Sequence, residues 1–357
     1  MAGQCRREEG RGRQVAGQRR TTSFDIAHLA GVSQPTVSRA LRGSPTVSAA
    51  TRQRIEAIAK QLNYTVDRTA SGLRTGHTRT LALLLFKDAA PGGSLINPFF
   101  LSMLSAMMTA CAEHRHDLLV SFQEMTSDWH VDYEDSHRAD GMILLGYGDY
   151  ESYRWRLDQL VSRGTHFVRW GSVRQGQPGL TIGSDNVAGG RMATEHLLAR
   201  GRRRIAFLGD ATDHHPEDSD RYRGYVEALA ATGIVADPAL QVMALASEED
   251  GARAAAELLA RDLPFDAVLA ASDVVALAAM RVFAGAGLAV PEQIAVVGFD
   301  DIPAAAIAHP SLTTVVQDTG LAGRTLVETL IARIRGDAAP GVVLPTHLVV
   351  RGSTGGI

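Results

Sequence analysis

Apolar positions near the start of the chain recur every three or four residues, the spacing of a helix with one buried face. The pattern predicts three short helices. The first follows Thr22, an N-cap candidate with Asp25 three residues on. The second spans Gln34 to Arg42, and the third starts at Ser48. The residues expected to face inward are Ile26, Leu29, Ala30, Val37, Ala40, Leu41, Ile55, Ile58, Ala59 and Leu62.

The second helix has a polar outer face, because the inward positions leave Gln34, Pro35, Ser38 and Arg39 pointing outward. A tight turn at Gly31 joins it to the first helix. Two helices joined in this way, with a third behind them, form the helix-turn-helix arrangement that places the second helix in the major groove of DNA. Small helical bundles share the same periodicity, so the pattern alone leaves both readings open.

From Thr80 onward the pattern changes to short apolar strands that alternate with amphipathic helices. This alternation predicts parallel sheets covered by helices on both faces, and more than ten strands suggest two such lobes. Ligands bind such folds where the carboxyl ends of strands face a cleft. The strand candidates include Leu81–Phe86, Leu118–Phe122, Gly141–Leu145, His166–Trp170, Ile205–Leu208, Ala267–Ala270 and Ile294–Gly298. The helix candidates include Phe99–His114, Val187–Arg200, Tyr222–Thr232, Gly251–Arg261, Asp273–Gly285 and Leu321–Arg335.

Composition narrows the class of protein. The 357 residues are 45% hydrophobic, enough for a small and a large folded domain. No stretch approaches the roughly 18 apolar residues of a membrane helix, and residues 1–20 lack the apolar core of a secretory signal. We therefore expect a cytoplasmic protein without a membrane partner. The two cysteines exclude a disulfide framework and a cysteine metal cluster.

The net charge of −3 hides an asymmetry. Residues 1–79 hold 14 Lys and Arg against 5 Asp and Glu, net +9, whereas the remainder holds 22 against 34, net −12. A basic head on an acidic body suggests that the head meets a polyanion. Residues 1–20 carry no apolar periodicity and are expected to form a disordered basic tail.

The segment Asp25–Leu41, with the sequence DIAHLAGVSQPTVSRAL, resembles the headpiece signature of the LacI/GalR family of bacterial transcription regulators. The likeness continues through Val47-Ser48 and Leu62-Asn63-Tyr64. It implies an N-terminal all-α helix-turn-helix headpiece with a hinge helix, followed by an α/β two-lobed periplasmic-binding-protein-like effector domain. The expected boundaries are 21–65 for the headpiece, 66–79 for the hinge helix and linker, and 80–351 for the effector and dimerisation domain.

The resemblance also implies roles in binding double-stranded DNA. Gln34 and Pro35 match positions that read base edges, and Arg39 matches one that reaches a base or a phosphate. The phosphate-contacting positions correspond to Thr22, Thr36, Ser38 and Asn63, and we add Tyr64 to this surface. In the hinge, Ala70, Leu73 and Arg74 are expected at the DNA, with Leu73 wedged into the minor groove of a pseudo-palindromic operator. An ordinary linker leucine is the alternative for Leu73.

Further motifs resemble the family's effector domain, including Arg221-Tyr222-Arg223-Gly224-Tyr225 and Val297-Gly298-Phe299-Asp300-Asp301. A sugar needs a planar donor, a carboxylate acceptor and an aromatic plate. The resemblance implies that Arg221 supplies the donor, as the family's effector-binding arginine, and that Asp300 is its hydroxyl-accepting aspartate, whereas Trp170 is the stacking candidate because it lies just past a strand. The second-rank candidates are Asn97, Phe99, Ser272 and Gln317. A structural ion pair is the alternative for Arg221 and Asp300, and core packing is the alternative for Trp170.

Other functions fit less well. The chain shows no nucleophile elbow, P-loop or dinucleotide fingerprint, so we expect no cofactor and no catalytic residues. A sugar- or nucleoside-processing α/β enzyme remains the alternative. The acidic loop Asp210 to Asp220 is interpreted as a solvated loop, with a metal site as the other possibility. The sequence thus predicts a homodimeric repressor whose operator affinity is controlled by a small molecule, with a sugar as the first expectation and a purine or nucleoside as the second.

Overall fold

The computed structural model describes residues 21–41, 43–64, 77–86, 96–123, 127–146 and 148–355. The chain divides into two compact units between Thr75 and Gly76. The tail 1–20 and most of the hinge segment, including Ala70, Leu73 and Arg74, lie outside the described residues. The finer domain boundaries therefore stay a prediction.

The described part of the first unit contains three helices, α1 (Ser23–Ala30), α2 (Gln34–Leu41) and α3 (Ala49–Gln61). Gly31 ends α1 with φ at 61°, a left-handed conformation that suits glycine and allows the tight turn into α2. The backbone N–H of Thr51 donates to Ser48 Oγ, which caps α3. The helices share one core, whose buried members are Ile26, Ala27, Ala30, Val37, Ala40, Val47, Ile55 and Ala59.

One expectation for these helices needs correction, and another stays untested. Leu29 is 59% exposed, because the buried arc of α1 runs through Ile26, Ala27 and Ala30 and leaves Leu29 beyond its edge. The described part of α2 ends at Leu41, and Arg42 falls outside the described residues.

The second unit alternates strands and helices, as the sequence predicts. Its strands are β1 (Thr80–Phe86), β2 (Asp117–Gln123), β3 (Gly141–Leu145), β4 (Phe167–Trp170), β5 (Leu180–Ser184), β6 (Ile205–Leu208), β7 (Gln241–Val242), β8 (Ala267–Ala270), β9 (Ala295–Asp300), β10 (Thr313–Gln317), β11 (Val342–Leu344) and β12 (Thr346–Val349). Its α-helices are α4 (Pro98–Glu113), α5 (Tyr150–Ser162), α6 (Asn186–Ala199), α7 (Pro216–Ala231), α8 (Glu248–Ala260), α9 (Asp273–Gly285), α10 (Pro303–Ile307) and α11 (Thr319–Ile334). A short π-helical turn covers Val131–Asp135.

The strands form two six-stranded sheets, one in each lobe. The first lobe has the order β11-β5-β4-β3-β1-β2 with every pairing parallel. The second has the order β12-β10-β9-β8-β6-β7, in which only β12 runs antiparallel to its neighbour. The backbone passes between the sheets three times, after β5, after β10 and after β11. Two lobes joined by three crossings of the backbone confirm the expected periplasmic-binding-protein-like architecture.

Each sheet is covered by helices on both faces. In the first lobe, α4 and α11 pack Met103, Met107, Leu326 and Leu330 against one face. In the second lobe, Phe283 of α9 is buried on one face, and Leu197 of α6 lies in the separate core on the other. None of the described helices combines the length and apolar character needed to cross a membrane.

The segment Asp210 to Asp220 is not wholly a loop, contrary to the sequence interpretation. Pro216 begins α7, and Glu217 and Asp218 lie in its first turn. Proline is tolerated there because the first turn has no intrahelical partner for its missing N–H, and the acidic side chains are favoured by the helix dipole. This start of α7 brings the acidic residues to the cleft between the lobes.

Candidate functional site

The polar residues predicted to read DNA lie on α2 and at its borders in the first unit. Pro35 and Arg39 are exposed, and Gln34, Thr36 and Ser38 are half-buried. Gln34 Nε2 donates to Ser23 Oγ at 3.2 Å, which ties the start of α2 to α1. The α2 side chains therefore present an outward polar row at the N-terminal end of a helix, where base-reading residues are found in helix-turn-helix proteins.

The remaining candidates of the first unit lie at helix borders. The N–H and hydroxyl groups of Thr22 both donate to Asp25 Oδ2, at 2.7 and 2.8 Å, so Thr22 also fixes the start of α1. Asn63 is exposed with φ at 48°, and Tyr64 is half-buried against the helix core. Tyr64 thus has a packing role whatever else it contacts.

The second unit holds a cavity of about 280 Å³ between the lobes. Three of the seven predicted effector residues line it, namely Phe99, Asp300 and Gln317. Phe99 comes from the start of α4 in the first lobe, whereas the other two come from the ends of β9 and β10 in the second. The lining is completed by Ser102, Asp301, Ile302, Val316, Asp318, Thr319 and His347.

Asp300 is held in a conformation that few side-chain-bearing residues adopt. Its φ is 116°, and that of Asp301 is 54°. Such backbone strain concentrates at functional sites, where the surrounding structure fixes it. Gln317 Nε2 donates to Asp300 Oδ1 at 2.6 Å. The carboxylate is therefore aimed by both the backbone and a neighbouring amide.

Arg221 lies outside the cavity lining but is held firmly beside it. It is 7% exposed, and its guanidinium lies 3.9 Å from the centroid of the Phe299 ring. Nε donates to Asn186 Oδ1 at 2.9 Å, while Nη1 donates to the carbonyl of Ala271 and meets Asp218 Oδ1 at 3.4 Å. These bonds leave Nη2 of Arg221 as a donor not engaged by another described residue.

Burial shapes the charges around Arg221. Burial raises the pKa of Asp300 to about 7 and that of Asp218 to about 6. The Arg221 charge lowers both pKa values, and the hydrogen bond from Gln317 also lowers that of Asp300, but burial outweighs them. Burial also raises the pKa of Asp273, with Asp300 adding to the effect. Carboxyl groups that exchange a proton near neutrality can act as donors as well as acceptors, which suits ligands rich in hydroxyl groups.

The other three predicted effector residues have clear structural roles. Trp170 is 6% exposed in the first-lobe core, with its ring 5.9 Å from that of Phe99, so it packs behind a lining residue. Asn97 Oδ1 accepts from the N–H of Phe99 at 2.9 Å and caps α4. Ser272 Oγ accepts from Val275 and caps α9. The structure does not bring these three to the cavity surface.

Sequence reasoning missed two partners of Arg221. The sequence interpretation places Asp218 in an acidic loop and gives Asn186 no role. Asp218 lies three residues before Arg221, a spacing that places both on one helix face and could have identified it. Asn186 comes from the crossing after β5, and no local pattern predicts that contact.

The acidic segment offers no metal centre. His215 Nδ1 lies 2.7 Å from Asp210 Oδ2, and His214 Nδ1 lies 2.9 Å from Asp149 Oδ1. The described part of the chain contains no group of three or more His, Cys, Asp or Glu side chains that could hold a metal ion. The histidines are therefore paired with single carboxylates.

Comparisons with known proteins agree with both units. Residues 24–67 match the lacI family of bacterial regulatory proteins, and residues 194–354 match a periplasmic binding protein-like domain. The HTH-type transcriptional regulator CelR of Thermobifida fusca is 35% identical over 94% of this chain and 99% of its own length.

Two solved structures share the fold at similar coverage. A transcriptional regulator CelR–cellobiose complex has a TM-score of 0.69 and 34% identity over 94% of this chain and 100% of that one. A lac repressor dimer bound to operator and the anti-inducer ONPF has a TM-score of 0.82 and 27% identity over 94% of this chain and 99% of that one.

Proposed function

Since the chain belongs to the lacI family of bacterial regulatory proteins, we propose that a sugar bound between its lobes controls how tightly its headpiece holds an operator. The protein is a DNA-binding transcriptional regulator and not an enzyme. We assign it the role of a repressor that acts in the cytoplasm, where its operator lies. The observation that carries the effector assignment is the ion pair of the buried Arg221 with Asp218 beside a cavity that both lobes line.

The chemistry of the cavity favours a neutral sugar. Three carboxyl groups, those of Asp300, Asp301 and Asp318, line it, and Phe99 adds an aromatic surface. Arg351 is already paired with Asp301 at 2.7 Å. Carboxylates accept hydrogen bonds from sugar hydroxyls, whereas they repel an anionic ligand. Cellobiose is the first sugar to test, because a relative of 34% identity was solved with it.

On the DNA side, we assign base reading to Gln34 and Pro35, and a base or phosphate contact to Arg39. Thr22, Thr36, Ser38, Asn63 and Tyr64 belong to the same proposed surface. The Arg39→Ala substitution distinguishes the two contacts. If Arg39 binds a phosphate, the slope of log affinity against log salt concentration should fall in magnitude by about one; if it binds a base, the sequence preference at one position of the site should relax.

The protein acts as a homodimer, and we propose a face for the partner copy. A groove of about 850 Å³ runs between α9, α10 and the segment before β9, lined mainly by apolar side chains such as Leu277, Met280 and Ile307. Ile307 is 76% exposed, which is unusual for a side chain with this much apolar area. A second copy covering this groove explains its apolar character, and the lac repressor relative is a dimer. Ile307→Asp should convert the dimer to a monomer in sedimentation; an intact dimer would rule out this face.

The central test measures operator binding with and without sugar. Bound fragments are selected from random duplex DNA with the full chain, and the complex is then titrated with cellobiose. Arg221→Ala should keep operator affinity and lose the response to sugar, because it removes a cleft donor without touching the headpiece. Arg191→Ala, which breaks an exposed ion pair with Glu227 inside the second lobe, is the matched control and should respond normally.

Two results would contradict the proposal. Binding that shows no preference among duplex sequences would remove the DNA-reading role. An unchanged sugar response in Arg221→Ala would remove Arg221 from the effector site.

A further inference from the structure

Arg174, on the loop between β4 and β5 in the first lobe, contacts three groups of the second lobe. Its Nη1 lies 2.7 Å from Asp213 Oδ1, and its Nη2 lies 2.8 Å from Asp220 Oδ1. Nη2 also donates to the carbonyl oxygen of Pro216 at 2.9 Å. One guanidinium therefore holds both the loop before α7 and the first turns of that helix.

Neighbouring groups join the lobes at the same place. The N–H of Ser172 donates to Glu217 Oε1 at 2.8 Å, and the hydroxyl of Ser172 donates to Asp220. The N–H of Tyr150, at the start of α5, donates to the carbonyl oxygen of His214 at 2.7 Å. We call Ser172, Arg174, Asp213, Glu217 and Asp220 the interlobe latch.

Burial separates the strong contact of the latch from the weak one. The Asp213 side chain is 72% exposed, so water screens its pairing with Arg174. The Asp220 side chain is 8% exposed and that of Arg174 is 26% exposed. A charge-assisted bond shielded from water is stronger than an exposed one. Loss of Arg174 would leave the buried Asp220 carboxylate with the hydroxyl of Ser172 and a longer contact, at 3.3 Å, to the exposed Arg223. Arg174 and Asp220 therefore carry most of the latch.

On α7, Asp220 immediately precedes Arg221, and Asp218 lies two residues before Asp220. Whatever fixes Asp220 against the first lobe thus also fixes the side chains that surround the cavity. We propose that Arg174 is a positioning residue for effector binding, which holds α7 against the first lobe through Asp220 and thereby sets the affinity for sugar. This inference rests on the proposed effector site but concerns a residue outside it.

The physical link is the population of the closed arrangement. A ligand that touches Phe99 from one lobe and Asp300 from the other binds fully only when the lobes are together. Its apparent dissociation constant rises in inverse proportion to the fraction of molecules in that arrangement. The latch keeps this fraction high, so its loss weakens binding without removing any contact to the ligand.

The first experiment needs no sugar. Amide hydrogen exchange is measured residue by residue at Ser172 and Tyr150, whose N–H groups donate across the cleft, and at β3 within the first lobe. Arg174→Ala should speed exchange at Ser172 and Tyr150 by about tenfold, since the donors are exposed whenever the lobes part, and leave β3 unchanged. Asp220→Asn, which keeps the side-chain shape and removes the charge, should act in the same direction.

Conservative and control variants test the chemistry of the latch. Arg174→Lys should give an intermediate rate, because one ammonium group cannot reproduce the planar fork that meets several acceptors. Arg253→Ala removes an ion pair with Asp250 inside the second lobe and should change nothing at Ser172. Exchange at Ser172 and Tyr150 that is equal in Arg174→Ala and the unmodified protein would overturn the latch.

The second experiment measures cellobiose affinity by calorimetry. Arg174→Ala should raise the dissociation constant by about tenfold, with Arg174→Lys in between and Arg253→Ala unchanged. Equal affinity in Arg174→Ala and the unmodified protein would overturn the positioning role. Failure of the unmodified protein to bind sugar would instead overturn the proposed effector, and the exchange rates would still decide whether the latch exists.

Discussion

Gly224 of α7 faces α6 at a distance that leaves no room for a side chain. A methyl group built at Gly224 would lie 2.1 Å from the carbonyl oxygen of Val187 and 2.6 Å from the N–H nitrogen of Arg191. From the opposite helix, a methyl group at Gly190 would lie 2.1 Å from the carbonyl oxygen of Arg221. The two helices thus meet backbone to backbone, one turn from the arginine of the proposed effector site.

The Gly224→Ala substitution should destabilise the second unit substantially. The obstructing atoms belong to backbone, which cannot move aside as a flexible side chain would, so the helices must separate by roughly 1 Å to restore ordinary contact. Overpacking of this kind costs about 3 kcal/mol, at the upper end of the usual range. For a unit of this size, that free energy corresponds to a fall in Tm of about 6–12 °C.

The measurement is a thermal unfolding scan of the full chain, followed by the sugar titration of the folded variant. Gly285→Ala is the matched control, since a methyl group there meets no atom within 4 Å and the residue belongs to helix α9. It should stabilise the protein by about 0.5 kcal/mol, because alanine loses less backbone entropy in a helix. If Gly224→Ala unfolded at the same temperature as Gly285→Ala, the close approach of the two helices would be wrong.

Three further outcomes follow from other parts of the structure. Because burial raises the pKa of Asp300 from 3.8 to about 7, the folded protein retains a proton that the unfolded chain releases, so the free energy of unfolding should fall as pH rises from about 4 to 7. Asp300→Asn should flatten this slope in urea titrations, and an equal slope in the variant and the unmodified protein would contradict the raised pKa. Ile55 is fully buried in the headpiece, so Ile55→Ala should cost about 2–5 kcal/mol and abolish operator binding while calorimetry records an unchanged transition for the second unit. Ser48→Ala removes the cap of α3 and should cost the headpiece about 1 kcal/mol of stability. Circular dichroism melts of the isolated residues 21–64 measure this loss, with Ser44→Ala as the control, and equal melting temperatures of the two variants would refute the capping role.

The sequence predicts most of the fold because the inner strands are buried on both faces. β3 and β8 read as uninterrupted apolar runs, and their bounds agree with the structure. The edge strands β11 and β12 have mixed burial and are not among the strand candidates, since one side of each is left without a neighbouring strand. The inner strands β5 (LTIGS) and β10 (TTVVQ) are not among the candidates either, because polar residues interrupt their apolar runs. Helix α5 was missed as well, because its inner face includes the polar Arg156.

For the candidate site too, the sequence indicates some residues, whereas the role of others depends on tertiary contacts. Asp300 and Gln317 are predicted from motifs that resemble the family's effector domain, and the structure places both at strand ends, where parallel strands deliver side chains to one edge. Trp170 ends a strand too, yet its side chain points into the core, and one residue of register decides between the two faces. Arg174 gave no signal in the sequence, because its importance depends on the distance between two lobes.

The three crossings between the sheets also govern the order in which the protein can be completed during synthesis. The first lobe needs α11 and β11, which the ribosome makes after nearly all of the second lobe. Its sheet therefore waits with one edge open until residue 344 has emerged, so a stop codon placed anywhere before that point leaves neither half of the cleft whole. We therefore expect the nascent chain to bind chaperones late in translation, and a prematurely released chain should aggregate rather than form a stable fragment.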